Sequence, residues 1–320
     1  MIVVCEQCQS RFKLDESRIK ASRFKARCSR CHHVFAVVKP DRSETAAGKT
    51  PATAPSPEVR AAKVIAVSNQ KGGVAKTTTC LHLGIALALL HKRVLLIDFD
   101  VQSNLTISLG YRNMASFYDL IRSEGEAPER FLVRTRYQDL SLLPSNKNMV
   151  LLNKTYFGAP HYEYILRNRL ASWKDRYDYV LIDTPPSIEF FTLNALTASD
   201  LVIIPSQCDY LSTHGVDQIL KLIDLVQQKT NPDLDAQILI TMYDAQATAS
   251  QVIYSKLQQI YGARTFQTVI HHDDKLREAQ IMNLPVNHYA PDSRAGQEYK
   301  DLAREMLQRL APNGKAHEGQ

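Results

Sequence analysis

Two groups of residues in this chain have the types and spacing to do chemistry. The first is four thiols: Cys5 and Cys8 form one C-x2-C pair, and nineteen residues later Cys28 and Cys31 form another. Each pair can close a tight turn, and two turns can converge on one tetrahedral ion, which is the ligand pattern of a structural zinc site. The second is a phosphate-binding set. In SNQKGGVAKTTT, Gly72 and Gly73 free the backbone to wrap phosphates, Lys76 can reach the β and γ positions, and the Thr77 hydroxyl can ligate Mg²⁺. The segment Gly72, Gly73, Val74, Ala75, Lys76, Thr77 and Thr78 is therefore read as contacting the nucleotide. Three carboxylates complete the set. Asp98 and Asp100 stand two apart in RVLLIDFDVQSNLT and project to one side of an extended chain, and Asp183 closes the strand in YVLIDTPPS, where a strand-end aspartate usually holds Mg²⁺ through water.

These residues need elements to hold them. From Lys63 onward, short apolar runs (KVIAVS, RVLLID, LSLLP, YVLID, LVIIP, QILIT) alternate with amphipathic stretches over 77–91, 213–229, 248–261 and 294–310. Buried strands alternating with helices predict an α/β fold, a mostly parallel sheet with helices on both faces. In such a sheet ligands bind at the carboxyl ends of the strands, where Lys76, Asp98 and Asp183 fall. Composition divides the rest. Residues 1–39 hold the two cysteine pairs, 40–62 are a Pro, Ala, Ser and Thr-rich linker, 63–311 form the large domain and 312–320 a polar tail. A module of about 40 residues cannot build a sufficient core alone, so metal binding must supply folding free energy. Phe12, Phe24 and Phe35 would give it a small apolar surface.

The net charge of +6 is concentrated: residues 1–40 carry nine Lys/Arg against three acidic residues, while the remaining chain balances at 30 and 30. That distribution suits either a polyanion-facing surface or a solubilising one. The longest apolar stretch, 83–90, is far short of the roughly 20 residues a membrane helix needs, and the N-terminus lacks the pattern of a signal peptide. The chain is read as cytoplasmic, which disfavours disulfides at the four thiols; an iron site is a further alternative to zinc. Cys80 and Cys208 are expected to be buried and inert.

Lys71, five residues before Lys76, departs from the ordinary phosphate loop. KGGVAKTTT resembles the deviant Walker-A loop of the ParA/MinD superfamily of P-loop ATPases, and the ParA/Soj partition type in particular. ILITMYDAQ and the run KLREAQIMNLPVNHYAPDSRAGQEYKDLAREM resemble further ParA segments, so the likeness extends over about 63–310. It implies that Lys71 crosses a dimer interface to the partner's phosphates, coupling ATP to a homodimer. It also implies that Asp100 orients the attacking water and that Asp98 supports the magnesium shell. Val101 and Ser103 replace the usual Pro and Gly of the D-x-D-P-Q-G-N segment, Ala75 stands at a variable position expected to be harmless, and Ile270 to Asp273 replace I-P-x-N beside the base. The segment VCEQCQSRFKLDES…ARCSRCHHVFAV resembles the bacterial zinc-ribbon segments that precede diverse regulatory proteins.

The resemblance implies ATP, Mg²⁺ and Zn²⁺ as cofactors and a nucleoid-associated ATPase. Its ATP-bound dimer would bind DNA nonspecifically, and a ParB-like or cargo-linked activator would trigger slow hydrolysis. Basic residues in the family's DNA-binding region are Lys256, Arg264, Lys275, Arg277, Arg294, Lys300 and Arg304. The polar end of the chain argues against membrane attachment. Two other classes stay open: a zinc-ribbon regulator that uses the ATPase as an oligomerisation switch, and an ATP-dependent metallochaperone.

Overall fold

The structure is a computed structural model that describes residues 2–4, 11–13, 23–27, 33–38, 61–123, 125–210 and 212–310. The chain divides into two units, Met1–Glu58 and Val59–Gln320. In the first, β1 (Ile2–Val4) pairs antiparallel with β2 (Arg11–Lys13), and β3 (Arg23–Arg27) with β4 (Val34–Val38). Cys5, Cys8, Cys28 and Cys31 fall in the chain between the paired strands and lie outside the described residues. So do the tail over 312–320 and all of the linker expected over 40–62 except residues 61 and 62.

The second unit is built on a seven-stranded sheet of β5 (Lys63–Val67), β6 (Val94–Asp98), β7 (Val133–Arg134), β8 (Leu140–Leu143), β9 (Tyr179–Asp183), β10 (Leu201–Gln207) and β11 (Asp235–Thr241). Their order is β11-β10-β5-β9-β6-β8-β7. Every pairing is parallel except that of β7 with β8. The helices are α1 (Lys76–Leu89), α2 (Asn104–Ser108), α3 (Phe117–Arg122), α4 (Val150–Tyr156), α5 (Ile165–Leu170), α6 (Phe190–Ala198), α7 (Ser212–Lys229), α8 (Thr248–Tyr261), α9 (Asp274–Ile281), α10 (Val286–Tyr289) and α11 (Arg294–Arg309). All six expected strands are present. The two-residue edge strand β7 and the short helices α2 to α6, α9 and α10 carry too little periodicity to be read from the sequence.

The apolar runs are continuous because the strands are buried on both faces. Alternation then sorts each run. Val64, Ala66, Leu95, Ile97, Val180 and Ile182 join one core with residues of α6 and α7, whereas Ile65, Val67, Val94, Leu96 and Leu181 join the other with residues of α1 and α11. Helix α1 lies close enough to β6 that a Cβ on Gly84 would stand 2.6 Å from Leu96 Cδ2. A side chain there would overpack the core, typically at a cost of about 1–3 kcal/mol. This close contact anchors the helix whose N-terminus carries Lys76 and Thr77.

Candidate nucleotide site

Strand order places the chemistry. Because β9 lies between β5 and β6, the loop after β5 sits beside Asp183, and Asp98 stands in register with Asp183 on the next strand. On the other side of β5, the ends of β10 and β11 hold the loop from beneath. Gln207 Nε2 donates to the Gly73 carbonyl at 2.6 Å and Thr241 Oγ1 to the Val74 carbonyl at 3.2 Å. Asn69 Nδ2 donates to the Pro205 carbonyl at 2.8 Å, while its Oδ1 accepts from the Lys71 N–H at 3.0 Å. Asn69, Gln207 and Thr241 are positioning residues that sequence reading missed. Their only signal was a polar side chain at the end of an apolar strand.

Within the loop, Gly72 and Gly73 have nothing within 4 Å of where a Cβ would stand, so their backbone borders open space. Gly73 has φ of 75°, a left-handed conformation that glycine takes at no steric cost. Ala75 has φ of 66° in the same region, which costs a residue with a Cβ about 1–2 kcal/mol. The expectation that alanine is harmless at 75 is therefore corrected: the backbone there is one that favours glycine. Ser103, in the place of the family's glycine, has φ of 58° and carries the same strain.

Lys76 is buried, and its Nζ donates to the Lys71 carbonyl at 2.8 Å. Burial pushes its pKa down, opposed by the charges of Asp183 and Asp100. Thr77 Oγ1 donates to Asp183 Oδ2 at 2.7 Å, and Asp183 Oδ1 is buried with no hydrogen-bond partner. Burial raises the Asp183 pKa well above the carboxylate range, and the neighbouring Asp98 adds to the effect. A buried carboxylate with an orphaned oxygen beside a threonine hydroxyl is a donor set that suits a hard divalent cation such as Mg²⁺.

Asp98 is differently engaged. Its Oδ2 accepts from the Thr106 N–H at 2.8 Å and Thr106 Oγ1 at 2.6 Å, and its Oδ1 from the Asp100 N–H at 3.3 Å. Burial raises its pKa to about 7 against these stabilising bonds. Asp98 therefore clamps the turn after β6 to α2, and any support it lends a metal passes through that clamp. Asp100 is nearly buried; its Oδ1 accepts from the Gln102 N–H at 2.9 Å and Oδ2 has no hydrogen-bond partner among the described residues. Ser145 Oγ holds the Asp100 carbonyl at 2.6 Å, and the Ser145 N–H donates to Thr106 Oγ1 at 3.0 Å. Lys71 reaches away from Lys76, its Nζ paired with Asp209 Oδ2. Val74 is buried, and Thr78 is half-buried and accepts through its carbonyl from the ring of His82 at 2.7 Å. Beside Thr77 and Thr78 a cavity of about 230 Å³ lies between α1, α2 and α9.

The segment 270–273 is tied down by side-chain hydrogen bonds. His271 Nδ1 contacts Glu298 Oε1 at 2.6 Å, and Asp273 caps α9 by accepting from the Lys275 N–H at 2.9 Å. Of the seven basic candidates, Lys275, Arg277, Arg294 and Arg304 each pair with a carboxylate of their own helix. Lys300 Nζ lies 3.4 Å from the Pro291 carbonyl. Lys256 and Arg264 are exposed and have no carboxylate partner among the described residues.

A family model described as an AAA domain matches residues 62–236, and one described as a zinc-ribbon domain matches residues 1–36. The sporulation initiation inhibitor protein Soj of Bacillus subtilis is 36% identical over 76% of this chain and 98% of its own length. The chromosome partitioning protein ParA of Caulobacter vibrioides is 34% identical over 77% of this chain and 94% of its own. Among solved structures, cobyrinic acid a,c-diamide synthase from Mycobacterium smegmatis, with a bound ATP analog and magnesium, superposes with a TM-score of 0.68 at 35% identity, covering 78% of this chain and 95% of that one. An ATP complex of McdA from Cyanothece gives a TM-score of 0.70 at 19% identity over 78% and 97%, a likeness of fold.

Proposed function

Because this chain belongs to the Soj/ParA family of P-loop ATPases, with a zinc-ribbon segment ahead of the ATPase domain, we propose that it is an ATP-switched positioning protein. ATP and Mg²⁺ are its cofactors. Gly72 to Thr78 hold the phosphates, and Thr77 with Asp183 holds the metal, which when bound neutralises charge on the phosphates. Asp100, its carbonyl held by Ser145 and its Oδ2 without a hydrogen-bond partner among the described residues, orients the attacking water. Hydrolysis is slow and stimulated by a ParB-like or cargo-linked activator.

In this reading two ATP-bound protomers close face to face, each Lys71 reaching the other's phosphates. The closed dimer binds DNA without sequence preference. The observation that supports it best is the second lysine: Lys76 already serves the chain's own site, while Lys71 is held at the rim by an ion pair that solvent can reach. The four cysteines bind Zn²⁺ and hold the ribbon, which adds affinity for DNA or for a partner.

The test is the light-scattering mass of an Asp100→Ala variant with ATP·Mg²⁺, with DNA binding at two salt concentrations and Lys71→Ala beside it. The expected result is an ATP-dependent dimer that binds DNA and is lost with Lys71→Ala. A chain that binds ATP yet stays monomeric and off DNA would overturn the reading.

A further inference from the structure

We infer that Asp209 is the counter-ion that parks Lys71 on its own protomer, and that this contact must be exchanged before Lys71 can serve a second copy. The inference rests on the dimer reading above and names its regulating residue. Asp209 is not a chance surface partner. Its Oδ2 holds Lys71 Nζ while its Oδ1 accepts from Ser212 Oγ at 2.9 Å. Ser212 is buried and its one hydroxyl proton is shared between Asp209 Oδ1 and the Gln207 carbonyl, so the carboxylate is oriented from the end of β10. Ser212 opens α7, an 18-residue helix, and the positive end of its dipole favours a negative charge at that place.

The backbone of Lys71 is committed as well. Its N–H donates to Asn69 and its carbonyl accepts from Lys76, so only the side chain can move. That side chain can be released at small cost, since the two members keep 28% and 41% of their side-chain surface exposed. Exposed pairs of this kind are worth a factor of about 2 to 5 each. A partner's triphosphate carries more charge than one carboxylate and competes for the same ammonium. Two protomers must each break one pair, so Asp209 opposes closure by about 4- to 25-fold.

The experiment measures the dimer dissociation constant of the full chain at saturating ATP·Mg²⁺, so that changes in ATP affinity drop out. All variants carry Asp100→Ala to suppress hydrolysis. Asp209→Asn is expected to dimerise about 4- to 25-fold more tightly, Ser212→Ala to shift in the same direction by less, and Asp209→Glu to stay near the parent. In a Lys71→Ala background, Asp209→Asn is expected to leave the chain monomeric. An Asp209→Asn chain that dimerises no better than its parent overturns the inference while leaving the dimer reading intact. A gain that persists without Lys71 also overturns it, because the effect is then general electrostatics. If neither the parent nor Asp209→Asn dimerises, the dimer reading falls and the latch falls with it.

Discussion

Ala75 and Ser103 sit in the two segments proposed to serve the nucleotide site, and both have left-handed backbones. At such a position a Cβ costs about 1–2 kcal/mol, whereas glycine loses about 0.4–1 kcal/mol through the greater freedom of its unfolded chain. Ala75→Gly and Ser103→Gly are therefore each expected to stabilise the ATPase domain by about 0.5–1 kcal/mol, checked by denaturant melts of the single variants. A loss of stability on either change would show that the backbone there is held by contacts of the side chain. The consequence for chemistry differs between the two. Ala75 caps α1 directly before Lys76, while Ser103 caps α2, the helix Asp98 clamps through Thr106. Residue types alone identified the carboxylates but could not divide their work. That Asp98 is spoken for depends on Thr106 turning back onto it from α2, and that Asp183 keeps one oxygen orphaned while the other takes Thr77 depends on a contact across 106 residues of chain.

At the scale of elements, the helices carrying basic residues are not equivalent. On α9 and α11, arginines and lysines alternate with acids at i,i+3 and i,i+4 spacing and pair within the helix. Exposed pairs of that kind hold weakly, about 0–1 kcal/mol, so they lower rather than abolish a helix's attraction for phosphate. Helix α8 and the turn after it instead present Lys256 and Arg264 without such partners among the described residues. If the proposed DNA binding runs through α8, replacing both residues with alanine should reduce the slope of log affinity against log salt by about 1.8, since each phosphate contact contributes about 0.9. Slopes measured over a salt titration check this, and an unchanged slope would move the DNA surface elsewhere. The sequence supplied the charges but not their pairing, because a helix's neighbours at i+3 and i+4 become partners only once their rotamers are set by packing.

At the scale of the whole chain, every residue assigned to nucleotide, magnesium or loop support falls between Asn69 and Thr241, within the second unit. The ribbon segment contributes none of them. Stripping zinc with a chelator is therefore expected to unfold the first unit while ATP binding persists, read as loss of bound metal and a separate melting step beside an unchanged nucleotide titration. Loss of ATP binding on chelation would make the ribbon part of the site. The sequence by itself determined the phosphate loop, the thiol pairs and the parallel strands. Those depend on local spacing and on apolar runs long enough to demand burial, and such signals survive without knowledge of the fold. Tertiary structure alone decided that β9 separates β5 from β6, which sets Asp183 beside Thr77. It alone brought Asp209 to Lys71, Gln207 to the Gly73 carbonyl and Thr241 to that of Val74. Strand order and side-chain pairing across more than a hundred residues are set by how whole elements pack, and no local pattern encodes them.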